Sequence, residues 1–303
     1  MLDIFERRLR LEGQLITRTG LHIGAGGSGD PIGTDLPVVR DGLGRPMIPG
    51  ASLKGVMRSA AEALLRHFPR PRQGTPAADH PLLWTCDIIG KDPCLDHDRL
   101  KELREELSDR PKAGDLRSLA EKAWNESCTV CRLFGSSAMA GRVRFPDLLL
   151  APKQASLMEV RNGVGIDRDK GQAAAGVLYD FEAVPPQTRF ELTVIADNYD
   201  DFEIGLLLYL FDELHRGSLA LGGKTTRGLG QVEVRWRHLE ETSVNPSLDG
   251  ANPFANLLRR ECFQEEAGEP AERELPIPGG GEREKWQELA LTLDGLESVT
   301  ESD

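Results

Sequence analysis

The chain has 303 residues, and 39% of them are apolar, so it can bury one substantial core with insertions, or two smaller cores, without disulfides. No stretch approaches about 18 uninterrupted apolar residues, which excludes a transmembrane helix. The first eight residues mix charges and lack the apolar run of a signal peptide. We therefore expect a cytoplasmic location.

The net charge of −12 argues against a nucleic-acid partner, because phosphate contacts need lysine and arginine. The acidic charge is unevenly distributed, however. Residues 238 to 303 contain 16 Asp and Glu against 5 Lys and Arg, which leaves 32 basic and 33 acidic residues in positions 1 to 237. The body of the chain is therefore nearly neutral, and a neutral body can still carry a basic groove on one face.

The first part of the chain predicts a strand followed by a helix. Leu9, Leu11 and Leu15 alternate with polar residues, which is the period of a half-buried strand. Apolar residues from Leu53 to Leu64 recur three and four positions apart, which predicts an amphipathic helix. Residues 67–135 then lose this order, and we interpret them as an insertion in which only 98–107 and 115–124 look helical.

The second part predicts three more strands and a second helix. Val143 and Phe145 suggest one strand, residues 190–196 another and residues 231–236 the last. Between the last two strands, apolar residues from Ile204 to Leu214 predict a buried helix that ends at Gly217. The order strand, helix, strand, strand, helix, strand is typical of α+β proteins with a ferredoxin-like (RRM-like, split βαβ) fold. We therefore predict one such domain over residues 1–237, with the insertion at 67–135 and a long connection at 153–186.

Residues 238–303 predict an acidic C-terminal extension that is partly helical. A helix is expected to begin at Asn252-Pro253, where Asn is a good cap and Pro a good first residue, and to end near Gly268. Residues 269–283 resemble a linker, and we expect the last residues to be disordered. We hypothesise that the helix contacts a partner.

A glycine-rich segment at 24–30 and a helix start at 49–58 are candidate phosphate contacts. Backbone amides freed by glycine can cradle phosphates, although a plain surface loop would have the same composition. Lys54 and Arg58 lie four residues apart on one side of the predicted helix, near its positive N-terminal end. A solvated basic face is the alternative for these two charges.

A second glycine-rich segment, at 222–230, superficially resembles a nucleotide-binding loop. It links a helix to a strand rather than a strand to a helix, and Ser218 stands where an earlier glycine is required. We therefore reject nucleoside triphosphate binding. Lys224 and Arg227 can still approach phosphates from this loop, and an ordinary turn is the alternative.

The cysteines indicate a metal site in the insertion. Cys128 and Cys131 form a CxxC pair, while Cys86 and Cys94 lie eight residues apart in the same insertion. In a reducing compartment this pattern favours a structural Zn²⁺ bound by four thiolates over disulfides. His80 or His97 could replace one ligand, and a redox role is disfavoured because no thioredoxin-like strand and helix surround the pair.

No pattern of residues indicates nucleophilic catalysis by serine or cysteine, and the six histidines do not form a zinc-protease motif. Catalysis, if present, would use carboxylates. Asp30, Asp35 and Asp41 lie in the glycine-rich region between the first strand and the first helix. For each of them, local hydrogen bonding in a turn is the commoner role.

Six segments in this order resemble the RAMP superfamily of CRISPR-associated proteins, and most closely the backbone subunit of type III effector complexes. They are Leu21-His22-Ile23-Gly24, Gly33 to Asp41, Ile48 to Arg58, Cys128 to Gly135, Gly165 to Arg168 before a hairpin-like 176–184, and Gly222-Gly223-Lys224 with Arg227 to Gly230. The resemblance spans residues 7 to 237. Six ordered motifs are more specific than any single glycine run.

The resemblance implies a ferredoxin-like palm that binds a CRISPR guide RNA and a thumb β-hairpin, here 153–186, that wedges between bases. It further implies cleavage of complementary target RNA by a loop aspartate with Mg²⁺ or Mn²⁺, and Asp35 occupies that position. Other copies or paralogous subunits, and the remaining subunits of the complex, would be partners. The residues expected to contact RNA are His22, Gly24, Ser52, Lys54, Arg58, Arg168, Gly222, Gly223, Lys224 and Arg227.

Three functional classes remain open at this point. The first is a guide-binding subunit with metal-dependent endoribonuclease activity at Asp35. The second is a catalytically inactive scaffold of the same kind, or a related guide-processing nuclease that acts alone. The third is a zinc-stabilised RNA or protein interaction module outside CRISPR systems. With only 6% aromatic residues, serial base stacking is disfavoured and backbone-led RNA binding is favoured.

Overall fold

The computed structural model describes residues 5–26, 34–71, 83–90, 93–105, 113–155, 157–169, 172–244 and 257–261. Within these ranges the chain forms nine strands and five α-helices. The strands are β1 (Arg7–Thr17), β2 (Met47–Ile48), β3 (Val143–Arg144), β4 (Leu148–Leu149), β5 (Glu159–Asp167), β6 (Gln172–Ala183), β7 (Arg189–Asp197), β8 (Val232–Val244) and β9 (Leu257–Glu261). The helices are α1 (Gly50–Leu65), α2 (His97–Glu105), α3 (Ala113–Asn125), α4 (Thr129–Phe134) and α5 (Asp201–Arg216).

The central sheet has the order β3-β7-β1-β8-β9, and each neighbouring pair is antiparallel. Two βαβ units, β1-α1-β3 and β7-α5-β8, interleave in it, because β7 separates β1 from β3 and β1 separates β7 from β8. This mixed α/β topology is compatible with the predicted ferredoxin-like fold. The period-two pattern of the first strand is also confirmed, since Leu9, Leu11 and Leu15 are buried.

Helices α1 and α5 contact each other and close the core over the sheet. Helix α1 buries Leu53 and Met57 completely, and each such side chain contributes roughly 1.5–3 kcal/mol. Helix α5 begins at a capping box formed by Asp200 and Glu203. It ends at Gly217, whose φ of 83° is the left-handed conformation that favours glycine. The predicted end of this helix is therefore confirmed.

The insertion contains α2, α3 and α4. Helices α2 and α3 pack through a small apolar cluster of Leu95, Leu103 and Ala123. Helix α4 was not predicted, and it buries Leu133 and Phe134 in the main core. The insertion is therefore attached to the palm by shared apolar packing as well as by the chain itself.

A two-stranded antiparallel hairpin, β5 with β6, occupies the predicted connection at 153–186. The base of β6 is attached to the rest of the domain by two isolated bridges, Leu36 with Phe181 and Leu21 with Val184. The hairpin is thus held at its base, close to the loops that follow β1. Its role as a thumb remains a prediction.

Two predictions about the C-terminal part are wrong where the structure describes it. Strand β8 continues to Val244, so the expected boundary at 237/238 falls inside a strand. Residues 257–261 form strand β9 on the edge of β8, and not a part of the helix expected over 252–267. The local signal of Asn252-Pro253 could not report this pairing, because the free edge of β8 lies outside the segment that carries the signal.

Several other sequence predictions lie outside the described residues. They concern Asp30, His80, most of residues 252–268 and the C-terminal end after 261. Among the helices that the structure describes, none combines the length and the apolar character needed to cross a membrane.

Candidate functional site

The segment Tyr179–Glu182 of β6 brings the candidate site together. Side chains of a strand alternate between two sides. The carboxylates of Asp180 and Glu182 face the loop that contains Asp35, and the rings of Tyr179 and Phe181 face the glycine-rich loop of Lys224. Two loops that are far apart in sequence therefore meet on one short piece of strand.

Asp35 is exposed and is held by Asp180 through a reciprocal pair of hydrogen bonds. The Asp35 N–H donates to Asp180 Oδ1 at 2.7 Å, and the Asp180 N–H donates to Asp35 Oδ2 at 3.0 Å. Asp35 Oδ1 accepts no hydrogen bond from any residue that the structure describes. The carboxylate is thus fixed through one oxygen, while the other remains available to a ligand.

Glu182 provides a second attachment for the same loop. Its carboxylate accepts the Val38 N–H at 3.1 Å and an Arg40 guanidinium N–H at 2.9 Å. Further along, Asp41 accepts the backbone N–H groups of Leu43 and Arg45, each at 2.9 Å, and so has the turn-forming role considered for it. The loop is therefore anchored at several points that follow its exposed aspartate.

Lys224 and Arg227 lie on the aromatic side of β6. Arg227 donates to the Tyr179 hydroxyl, and this hydrogen bond is the main reason why the pKa of Tyr179 is lowered. The Lys224 Nζ lies 4.6 Å from the centroid of the Phe181 ring and 5.1 Å from that of Tyr179. Neither cation forms an ion pair with a carboxylate of the described residues, so both are available to an anionic ligand.

Glycines let the second loop approach His22 closely. A Cβ at Gly222, whose φ is 82°, would lie 2.4 Å from the His22 carbonyl oxygen, and the Gly223 N–H donates to that oxygen at 2.8 Å. The His22 Nδ1 lies 2.7 Å from the Glu182 carbonyl oxygen, which can only accept, so Nδ1 is the donor. Its Nε2 is directed towards Gly24.

The N-terminal turn of α1 is only partly open to a ligand. The Gly50 N–H donates to Asp147 Oδ1 at 2.8 Å, and the Ser52 N–H donates to the Pro49 carbonyl at 2.9 Å. Lys54 is half-buried and forms no ion pair with the described residues. Of this group, Lys54 and the Ser52 hydroxyl are the parts that can still meet a phosphate.

Arg58 does not fit the role predicted for it. Its Nε donates to Glu62 at 2.8 Å, its Nη1 to the Gly135 carbonyl at 2.5 Å and its Nη2 to Cys131 Sγ at 3.4 Å. The Arg58 side chain is only 17% exposed, and protein partners occupy its guanidinium. The i, i+4 spacing from Lys54 was correct, but it could not reveal that the insertion covers this turn of the helix.

Arg168 is exposed in the turn that joins β5 and β6. The Tyr179 segment lies towards the other end of the hairpin, where Gly163 pairs with Tyr179. Arg168 is therefore at the tip, and the other candidate residues of the loops are grouped near the base.

The four cysteines of the insertion form a second site. Their Sγ atoms all lie within 4.8 Å of one another, and the Cys86 sulfur is 3.5, 3.6 and 3.7 Å from those of Cys94, Cys131 and Cys128. A tetrahedral ion with metal–sulfur bonds of about 2.3 Å would place sulfurs about 3.8 Å apart. The donor set therefore fits one tetrathiolate ion, and His97 lies outside this group of ligand atoms.

The electrostatics around these thiols favour a thiolate at Cys128. Hydrogen bonds from the thiols of Cys131, Cys86 and Cys94, in that order, hold the pKa of Cys128 far below its usual value. Its sulfur also accepts the Cys131 N–H at 3.3 Å at the start of α4. Metal ligation requires the thiolate form, so the fold already supports one of the four ligands.

Sequence reasoning missed the β6 segment as a functional element. The hairpin was expected, but no role was assigned to Tyr179, Asp180 or Glu182. The signal available was the alternation of two aromatic residues with two acids in a strand, which indicates two different faces. Which loops these faces would contact depends on pairings between distant positions, 145 apart for Asp35 with Asp180 and 48 apart for Arg227 with Tyr179.

Comparison with known proteins finds one family model and several named relatives. The RAMP superfamily model matches residues 14–233. The protein named CRISPR system Cms endoribonuclease Csm3 from Methanocaldococcus jannaschii is 27% identical over 238 residues, which cover 74% of this chain and 77% of that protein. Its namesakes from Methanothermobacter thermautotrophicus and Mycobacterium tuberculosis are 24% and 26% identical and cover 79% and 80% of this chain, and 89% and 92% of their own lengths.

The family match runs from the last part of β1 to the first two residues of β8, and it includes both candidate sites. The chain belongs to the RAMP superfamily.

Proposed function

We propose that this protein is a guide-RNA-binding backbone subunit of a type III CRISPR effector complex, and that it cleaves complementary target RNA at Asp35. The names of its relatives support endoribonuclease activity within a CRISPR system. Other copies of the chain or paralogous subunits, guide RNA and target RNA are the partners that follow from this role.

The arrangement around β6 is the observation that carries the proposal. Tyr179 contacts two cations that form no ion pair with the described residues, and the next residue, Asp180, holds the exposed carboxylate of Asp35. Lysine and arginine bind RNA phosphates, and a carboxylate near a phosphate can recruit a divalent cation. Neighbouring residues of one strand would thus connect a loop that binds the RNA backbone with a carboxylate that serves cleavage.

The guide backbone would pass over the two glycine-containing loops and the start of α1. Gly24, Gly222 and Gly223 leave room for a close approach of phosphates, and Lys224 and Arg227 provide charge. His22, Ser52 and Lys54 can add hydrogen bonds. Arg168, at the hairpin tip, would contact RNA separately, in keeping with a thumb role for β5 and β6. Arg58 is withdrawn from this group because of its protein contacts.

Asp35 would act through its open oxygen, Oδ1. When bound there, Mg²⁺ or Mn²⁺ would stabilise the charge that develops on the cleaved phosphate. A single carboxylate makes a poor metal site, so RNA oxygens must complete the ligand set. Asp35 can also orient the 2′-OH of the target for attack on the adjacent phosphate. Either role predicts activity only when guide and target are in place.

The cysteine cluster would hold a structural Zn²⁺ through Cys86, Cys94, Cys128 and Cys131. A closed set of four thiolates leaves no open position for a substrate, so the site would stabilise the insertion and not take part in cleavage. It would attach the stretch before α2 to α4 and hence to the palm core.

The test combines co-purified RNA with cleavage of a complementary RNA. The protein purified with its complex should contain discrete guide-length RNA and cut target RNA with Mg²⁺ but not with EDTA. Asp35→Asn should abolish cleavage and retain the guide, because only the negative charge is removed. Asp41→Asn, in the same segment but committed to a turn, is the matched control and should still cleave.

Cleavage that persists in Asp35→Asn would exclude Asp35 as the catalytic carboxylate. Guide RNA without any cleavage in the wild-type complex would indicate a scaffold subunit. A complex without RNA would exclude both roles and leave the zinc-stabilised interaction module.

A further inference from the structure

The cysteine cluster lies in an apolar environment that does not favour net charge. Cys86, Cys128 and Cys131 are buried, and they pack in the main core with Trp84 and Phe134. Four thiolates around one divalent cation carry a net charge of about −2. A buried charge of this size needs a partner of opposite sign or hydrogen-bond donors to be tolerated.

Arg58 is the cation that meets this cluster from the palm. Its Nη2 donates to Cys131 Sγ at 3.4 Å, while its Nη1 donates to the Gly135 carbonyl, at the end of α4, at 2.5 Å. The planar guanidinium therefore hydrogen-bonds both to a ligand sulfur and to the end of the short helix that carries Cys131. A lysine could supply the charge but not this two-point geometry.

One neighbouring carboxylate, that of Glu62, holds Arg58 in place. Glu62 accepts its Nε at 2.8 Å from one turn further along α1, and Arg66 lies 4.0 Å from the same carboxylate. Arg132, next to Cys131, donates instead to the carbonyls of Trp124 and Asn125. Among the described residues, Arg58 is the cation whose hydrogen bond to a ligand sulfur the structure records.

We propose that Arg58 is a positioning residue of the metal site, which compensates the charge of the metal-loaded thiolates and ties them to helix α1. The inference rests on the proposed zinc site, but not on RNA binding. The metal site would then also affect helix α1, which carries Ser52 and Lys54 one to two turns before Arg58. Metal binding in the insertion is thereby connected to the helix proposed to meet the guide.

The experiment measures zinc content and zinc release in the purified full-length protein. Wild-type protein should contain one zinc per chain and lose it slowly to a colorimetric chelator. In Arg58→Met the affinity for zinc should fall by about 10- to 100-fold, as is typical when a partner of a metal ligand is removed. Arg58→Lys should lie between the two, because it keeps the charge without the planar fork.

Arg66→Met is the matched control. It removes an arginine from the C-cap of the same helix and from the same Glu62 carboxylate, and among the described residues the structure records no hydrogen bond from this arginine to a sulfur. Its zinc release should equal that of the wild type. If Arg58→Met also releases zinc at the wild-type rate, the proposal is overturned.

Two further measurements separate a metal role from a purely structural one. Arg58→Met should lower the unfolding temperature of the zinc-loaded protein more than that of the chelator-stripped protein, and equal losses would overturn the proposal. In Co²⁺-substituted protein, Arg58→Met should shift the sulfur-to-metal charge-transfer band, because a hydrogen bond to a ligand sulfur is lost. If the wild-type protein contains no metal, the proposed zinc site itself is wrong. The zinc content of the wild type shows this before any variant is compared.

Discussion

The carboxylate of Asp35 is positioned by backbone N–H groups and carboxylate oxygens, and not by a cation. Its hydrogen bonds run to and from Asp180, which itself carries a negative charge. An arginine in this position would have fixed the carboxylate equally well but would have neutralised it. The pairing with Asp180 leaves the carboxylate without a cationic partner among the described residues and leaves its second oxygen open, as recruitment of a divalent cation requires.

This arrangement predicts that Asp180 supports cleavage without contacting the RNA. In Asp180→Ala the Asp35 N–H loses its acceptor, so the loop loosens and the cleavage rate of the assembled complex should fall roughly tenfold, the equivalent of about 1.4 kcal/mol. Asp180→Asn should restore most of the rate, because its amide oxygen can accept the same hydrogen bond. Guide content should be unchanged in both variants.

Single-turnover cleavage with saturating target RNA is the appropriate measurement, because it separates the chemical step from binding. A rate in Asp180→Ala equal to that of the wild type would show that the loop holds Asp35 without this contact. A loss in Asp180→Asn as large as in Asp180→Ala would instead indicate a role for the Asp180 charge itself.

At the scale of the elements, a buried ion cluster connects the insertion to the palm. Arg142 donates to Asp200 at 2.8 Å and to Glu203, and its guanidinium lies 4.0 Å from the centroid of the Trp124 ring. Glu203 is fully buried, and its Oε1 has no hydrogen-bond partner among the described residues. The cluster therefore links α3, the start of β3 and the first turn of α5 through one guanidinium.

We predict that Arg142→Met destabilises the protein by about 3–5 kcal/mol at neutral pH, because it leaves Glu203 as an uncompensated buried charge. Burial already raises the pKa of Glu203, so the native state holds this proton to a higher pH than the unfolded chain does. The contribution of Glu203 to the free energy of unfolding is thus fully present at pH values below its pKa in the unfolded chain. It is lost as the pH rises through its pKa in the folded protein. Removing Arg142 raises the folded pKa further.

The difference in unfolding free energy between Arg142→Met and wild type should accordingly be smaller at pH 5 than at pH 7. Urea unfolding at the two pH values measures it directly. Arg144→Met, which removes a surface ion pair with Asp197, is a suitable control and should cost no more than about 1 kcal/mol. A difference for Arg142→Met that does not change with pH would contradict the assignment to Glu203.

The elements whose formation depends on local pattern were predictable. Strand β1 and helix α5 follow from a period of two and from apolar spacing with a glycine stop, and the structure has both. Helix α4 escaped prediction because its six residues are too few to show a period. Strand β9 was assigned to a helix because its state is decided by pairing with β8, which no local signal reports.

The candidate site, like the fold, could be predicted from the sequence only in part. The glycines, Lys224 and Asp35 carry motifs that could be found in the sequence, whereas the β6 segment that joins them could not. Asp35 and Asp180 lie 145 positions apart, and their contact arises only when the hairpin folds back on the palm. The protein contacts of Arg58 were missed for a related reason, since its partners Cys131 and Gly135 belong to the insertion.

At the scale of the whole molecule, the acidic extension is continuous with the palm sheet. Strand β8 pairs with β1 from Val232 to Ser243, and Arg7 to Leu11 are paired with residues beyond 237. The Tyr199 hydroxyl also donates to Glu241 at 2.8 Å. The first residues of the extension therefore complete the core sheet, and the change in composition near 238 does not mark the end of the domain.

This continuity predicts different outcomes for two truncations of the chain. Ending at Arg237 removes half of β8 and exposes the N-terminal half of β1, including the buried Leu9 and Leu11, so the unfolding temperature should fall by several degrees or more. Ending at Val244 preserves every β1–β8 pair and should retain the wild-type fold and guide RNA. Thermal unfolding followed by circular dichroism, with the RNA content of each purified chain, makes the comparison. Equal unfolding temperatures for the two truncated chains would mean that the end of β8 adds nothing to the stability of the sheet. Loss of RNA by the chain ending at Val244 would assign guide binding in part to the acidic extension.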